Sequence, residues 1–132
     1  MKNLLIFSLI LVCFSGCKSE NVKPVPKDTN YDVINKFFRV IAKSDADYLV
    51  VIIYSPPGAG SDTINTKSSD SFEYNYGFAP QVGSKINVKI ISAKGSSINA
   101  TINYKNLKVG GDNVQPVESG GLELNFDYLI TE

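Results

Sequence analysis

The chain contains no histidine and no tryptophan, and its two cysteines, Cys13 and Cys17, both lie near the start. Without histidine, Ser-His-Asp triads, imidazole acid–base chemistry and the ordinary zinc and copper sites are excluded. No cysteine follows Cys17, so no disulfide can close within the remainder, and stability there must come from an apolar core. The lack of indole rings removes the strongest stacking surface for sugars. Neither sign of charge dominates, with 13 basic and 13 acidic residues, which gives no electrostatic reason to expect nucleic acid or an anionic surface as partner. Gly58-Ala59-Gly60 lacks the third glycine of a dinucleotide fingerprint and runs into a Ser/Thr-rich loop. No cofactor is expected.

Paired carboxylates or a Ser-Lys arrangement are the remaining options, and the candidates are weak. Asp70, Glu73, Glu123 and Asp127 are the carboxylates a paired-acid mechanism would draw on. Glu73, Glu123 and Asp127 alternate with apolar residues, as outward, solvated strand residues do. Asp45 and Asp47 bracket a turn and Asp112-Asn113 follows a double glycine, but no acid closes a twelve-residue calcium loop at either place. These read as turn residues. The expectation is a chain with no catalytic residues and no metal site.

The N-terminus carries the clearest positive signal. Met1-Lys2-Asn3 gives a basic start, Leu4 to Phe14 an apolar run, and Ser15-Gly16-Cys17 a small-small-cysteine ending. The run is shorter than the roughly 20 residues a membrane-spanning helix needs. This stretch resembles the signal and lipobox of bacterial lipoproteins, which implies cleavage before Cys17 and attachment of diacylglycerol to its sulfur. Two or three acyl chains make a stable anchor where one holds only marginally. Residues 1–16 are thus expected to be a signal peptide, residues 17–30 a lipidated cysteine and flexible tether containing Pro24 and Pro26, and residues 31–132 a single β-sandwich domain. Lys18-Ser19-Glu20 resembles the short charged signals that send some Bacteroidota lipoproteins to the cell surface. Localisation is therefore the cell envelope, on the periplasmic face of the outer membrane or on the cell surface.

Beyond the tether the pattern is that of short strands. Residues 31–43 fit a helix, with Val33, Ile34, Phe37, Phe38 and Ile41 at helical spacing and Asp28, Thr29 or Asn30 as caps; they also fit a strand over 37–43, which is preferred. Tyr48 to Tyr54 is an unbroken β-branched and aromatic run closed by Pro56-Pro57-Gly58, which suits a central strand covered on both faces. Gly58 to Ser69 is a polar loop with room for a short strand near Thr63–Thr66. Alternating segments follow at 71–79, 85–93, 99–106 and 122–131, separated by turn signals, and Pro116 marks 114–117 as an edge. The fold class is all-β, a small antiparallel immunoglobulin-like sandwich of about six or seven strands.

Phe72, Tyr74, Tyr76 and Phe78 alternate strictly, so one strand would present all four on one face. They are either the inner lining of the sandwich or a partly exposed platform for a glycan or other small ligand, with Tyr74 and Tyr76 as candidate binding residues. Asp62-Thr63-Ile64 resembles the Asp-(Ser/Thr)-aliphatic motif of Bacteroidota O-glycosylation, making Thr63 a candidate modification site. Asn99-Ala100-Thr101 matches the N-glycosylation sequon by coincidence.

The segments Phe38-Arg39-Val40, Tyr48 to Tyr54, Phe72-Glu73-Tyr74-Asn75-Tyr76, Gly83 to Ala93 and Ile98 to Tyr104 occur in an order and spacing similar to the soluble domain of MmpS-type proteins. That resemblance implies an immunoglobulin-like sandwich serving envelope exporters of the resistance-nodulation-division class, and supplies no catalytic or ligand residues. The functional expectation is a non-catalytic, lipid-anchored interaction module with an envelope protein partner. The alternatives are glycan or small-ligand binding through the aromatic strand, and surface adhesion.

Overall fold

The computed structural model describes residues 29–69 and 72–132. Among the described residues a short helix α1 (Thr29–Ile34) is followed by nine strands: β1 (Phe38–Lys43), β2 (Tyr48–Ser55), β3 (Asp62–Ser68), β4 (Tyr74–Phe78), β5 (Lys85–Ser92), β6 (Asn99–Tyr104), β7 (Leu107–Gly110), β8 (Val114–Pro116) and β9 (Leu122–Leu129). They form two antiparallel sheets, ordered β4-β1-β6-β7 and β3-β2-β5-β9-β8. The all-β sandwich expected from the strand pattern is the observed architecture.

Alternation along each strand decides which side chains meet between the sheets. Phe38, Val40 and Ala42 of β1 and Ala100, Ile102 and Tyr104 of β6 point inward from one sheet. Tyr48, Val50 and Ile52 of β2, Ile86, Val88 and Ile90 of β5, and Leu124 of β9 answer from the other. All are buried, and apolar burial at about 25 cal/mol per Å² is the main source of stability for a fold without cross-links. Aromatic rings bridge the layers: Phe38 lies 6.0 Å from Tyr128, and Tyr54 meets Phe78 edge-on at 5.3 Å. The Tyr48 hydroxyl adds a polar link. It lies 2.9 Å from the Ala42 carbonyl and 2.8 Å from the Phe72 carbonyl, sharing its proton between them, and accepts the Tyr74 N–H at 3.1 Å.

Residues 31–43 realise both of the competing readings in succession. α1 ends where Lys36 adopts a φ of 52° and the Phe37 N–H returns to the Asp32 carbonyl, and β1 then begins at Phe38. Thr29 and Asn30, read as the end of the tether, form the first residues of α1. The strand count exceeds the six or seven expected for two reasons. β3 is a full seven-residue strand rather than a short insertion in a loop. The segment from 99 onward is also a hairpin: Lys105 and Asn106 both take positive φ, 50° and 64°, which is the signature of a tight two-residue turn, and β7 follows. β8 lies at a sheet edge, as Pro116 indicates.

Candidate functional site

The outer face of the five-stranded sheet carries an apolar stripe. Because Tyr48, Val50 and Ile52 point inward, Leu49, Val51 and Ile53 must point outward, and Ile91 of β5 stands beside Leu49. The sequence suggested that β2 is covered on both faces. The structure corrects this: among the described residues no element lies over the outer side, and all four side chains are half-buried, shielded only by their neighbours. Thr63, Asn65 and Lys67 of β3 flank the stripe on one side, paired across from Ile53, Val51 and Leu49. On the other side, the Asn87 amide donates to Asn125 Oδ1 at 2.8 Å and Asp127 Oδ1 at 3.0 Å, and Lys89 lies 3.5 Å from Glu123. At one end, a shallow open depression of about 620 Å³ is lined by Leu49, Ile91, Asp47 and Lys67 among others. An apolar centre with a hydrogen-bonded polar rim is the anatomy of a protein-binding surface.

The sequence-derived candidates fall in different places. Tyr74 and Tyr76 lie on β4 opposite Ala42 and Val40, so their rings face the core and are half-buried. Tyr76 packs between Tyr74 at 6.4 Å and Phe78 at 5.9 Å, so both of its ring neighbours are protein. β4 starts only at Tyr74. Phe72 lies outside it and is 69% exposed, so the expected row of four aromatics is a row of three. The Tyr74 hydroxyl is buried without a partner of good hydrogen-bonding geometry. Burial pushes its phenol up to about 12, opposed only in part by the nearby Thr66 side chain. Thr63 is exposed on the outer face of β3. Cys17, the expected signal peptide and the expected tether up to residue 28 lie outside the described residues, as does Asp70.

The remaining carboxylates do not pair with one another. Glu123 pairs with Lys89, and Asp127 accepts from Asn87 on the outer face of β9; Glu73 is exposed just before β4 in the other sheet. Asp45 accepts the Ser97 N–H at 2.6 Å, a bond that lowers its pKa, and Asp112 pairs with Lys108 at 2.6 Å. Among the described residues, no three acidic or cysteine side chains gather as metal ligands.

Sequence reasoning missed the most strongly bonded polar group. Arg39 projects from the outer face of β1 beneath α1, 1% exposed, and forks onto Asp32 with Nε–Oδ2 and Nη2–Oδ1 distances of 2.7 Å. Its third nitrogen, Nη1, donates to Asn75 Oδ1 on β4 at 2.8 Å, and its charge stands 5.7 Å from the Phe37 ring. A signal was available, because Arg39 is the one arginine among the 13 basic residues and arginine is suited to buried, two-pronged pairing. The cluster fixes α1 to the sheet, and its buried guanidinium engages protein groups through all three of its nitrogens.

Comparison with known proteins returned nothing: no family model, curated protein or solved structure matches the chain.

Proposed function

We propose that this chain is a non-catalytic, lipid-anchored cell-envelope protein whose β-sandwich binds a second envelope protein, in a role accessory to an export system. The observation that carries this reading is the half-exposed stripe of Leu49, Val51, Ile53 and Ile91 on a sheet face that is otherwise polar apart from Leu129 at the end of β9. Apolar side chains on a central strand gain stability only when covered, so a partner that covers them gains what the isolated domain forgoes. The lipobox-like ending at Cys17 supports residence at a membrane, and the order of motifs similar to MmpS-type proteins supports an export assembly as the partner. Glycan binding through Tyr74 and Tyr76 needs open ring faces, and both rings turn into the core, so protein binding is the better-supported reading.

The test compares the tagged full chain with Val51→Lys after crosslinking in native membranes. One envelope assembly is expected with the unsubstituted protein. Val51→Lys is expected to lose it at least tenfold while keeping its thermal midpoint. Equal recovery with both proteins rules out this face as the binding surface.

A further inference from the structure

Sheet edges present unpaired backbone N–H and C=O groups, and natural sheets blunt them with short strands, proline, bulges or charge. Four strands end the two sheets here: β4 and β7 in one, β3 and β8 in the other. β8 has three residues and ends at Pro116, which has no N–H to offer. β7 has four residues and a register shift opposite Ile102/Asn103. β4 has five residues interrupted by Gly77. β3 has none of these features. It runs seven residues, pairs with β2 in unbroken register from Tyr48↔Ser68 to Tyr54↔Asp62, and contains neither proline nor glycine. Its charges, Asp62 and Lys67, stand toward its ends, leaving Thr63-Ile64-Asn65-Thr66 uncharged and largely β-branched. Among the described residues nothing pairs with its outer side.

We propose that β3 pairs antiparallel with β3 of a second copy about a two-fold axis at Asn65, joining two five-stranded sheets into one continuous sheet. The strand's own sequence argues for this occupant. Asn65 is the midpoint of β3, so this register alone uses all seven residues of both copies. It sets Asn65 against Asn65, Ile64 against Thr66, Thr63 against Lys67 and Asp62 against Ser68. The two members of each opposed pair share a face, the β-branched Ile64 and Thr66 meet, and the acid and base of each strand oppose neutral residues, so no like charges collide. An isologous contact of this kind closes on itself and leaves no further β3 edge for chain growth. Strand pairing alone covers less area than a standard stable interface, so the pairing is weak in dilute solution and forms where anchored chains are concentrated on one surface. This inference does not depend on the partner proposed for the outer sheet face, but it rests on the lipid anchoring proposed at Cys17, which the intact mass of the purified chain checks before the vesicle experiment.

Disulfide trapping of the purified full chain in lipid vesicles tests it. Opposed Cα atoms in an antiparallel pair lie about 4.5–5.5 Å apart, within disulfide reach. Under mild oxidation Asn65→Cys is expected to give at least fivefold more covalent dimer than the unsubstituted chain, which controls for Cys13 and Cys17. Thr63→Cys alone is expected to stay at the control level, because the axis separates its two copies by roughly 13 Å. Thr63→Cys mixed with Lys67→Cys is expected to cross-link. All three positions are exposed, so folding is preserved and is checked by the thermal midpoint. Dimer from Asn65→Cys at the control level, or equal cross-linking from every single substitution, overturns the proposal.

Discussion

At Arg39 a fully charged group is held away from water by three hydrogen bonds, two of them to the single carboxylate of Asp32. Removing one member of such a pair leaves the other charge buried and unpaired. Asp32→Ala is therefore expected to cost about 3–5 kcal/mol in urea unfolding, whereas replacing both partners, as Asp32→Leu with Arg39→Met, is expected to recover most of that loss. The same scale governs Tyr74, whose hydroxyl is buried without a good partner. Its pKa is raised to about 12 in the folded chain against 10.0 ordinarily, so the unfolded chain releases this proton first as pH rises. The contribution is fully present below pH 10 and is lost as pH climbs toward 12. Tyr74→Phe is expected to flatten that part of the stability–pH curve relative to the unsubstituted protein. Near neutrality it is expected to leave stability unchanged or slightly higher, because the phenyl ring buries no unbonded oxygen. Chemical denaturation between pH 9 and pH 12 reads both effects.

Among the elements, β2 shows how far a sequence pattern reaches. The run Tyr48 to Tyr54 identified a central strand, and β2 does sit between β3 and β5. The expectation of cover on both faces fails because period-two alternation says which residues share a face and nothing about what lies against it. The stripe of Leu49, Val51 and Ile53 was thus visible as apolar residues but not as a surface. The Arg39–Asp32 pair was hidden for a related reason. Its members lie seven residues apart, one on a helix and one on a strand, and only the reversal at Lys36 brings them together. The Lys105-Asn106 turn was missed because neither residue is glycine, although both take the positive φ that glycine favours. The Tyr48 hydroxyl joins the end of β1 to the start of β4 from the opposite sheet. Tyr48→Phe strips the Tyr74 N–H and two carbonyls of this partner, and is expected to cost about 1–3 kcal/mol by equilibrium unfolding.

For the whole molecule, the two surfaces on the five-stranded sheet are physically separate. One is the face of β2; the other is the rim of β3. A second copy paired at the β3 rim leaves the β2 stripe open, whereas a glycan on Thr63, which stands opposite Ile53 on the same face, would crowd both the rim and the stripe. The attachment expected at Cys17 is tested by Cys17→Ser, which is expected to move the protein from the membrane to the soluble fraction and remove the lipid mass from the intact chain.

The N-terminal segment enters the domain through α1 and then through β1, which lies between β4 and β6 and is aligned with five residues of one and six of the other. A pull on α1 reaches β1 only through the reversal at Lys36, so the Asp32–Arg39 contacts bear the load before the hydrogen bonds that β1 makes to β4 and β6. The N-terminal end of the domain is thereby fastened twice, once by a buried ion pair and once by two strand ladders.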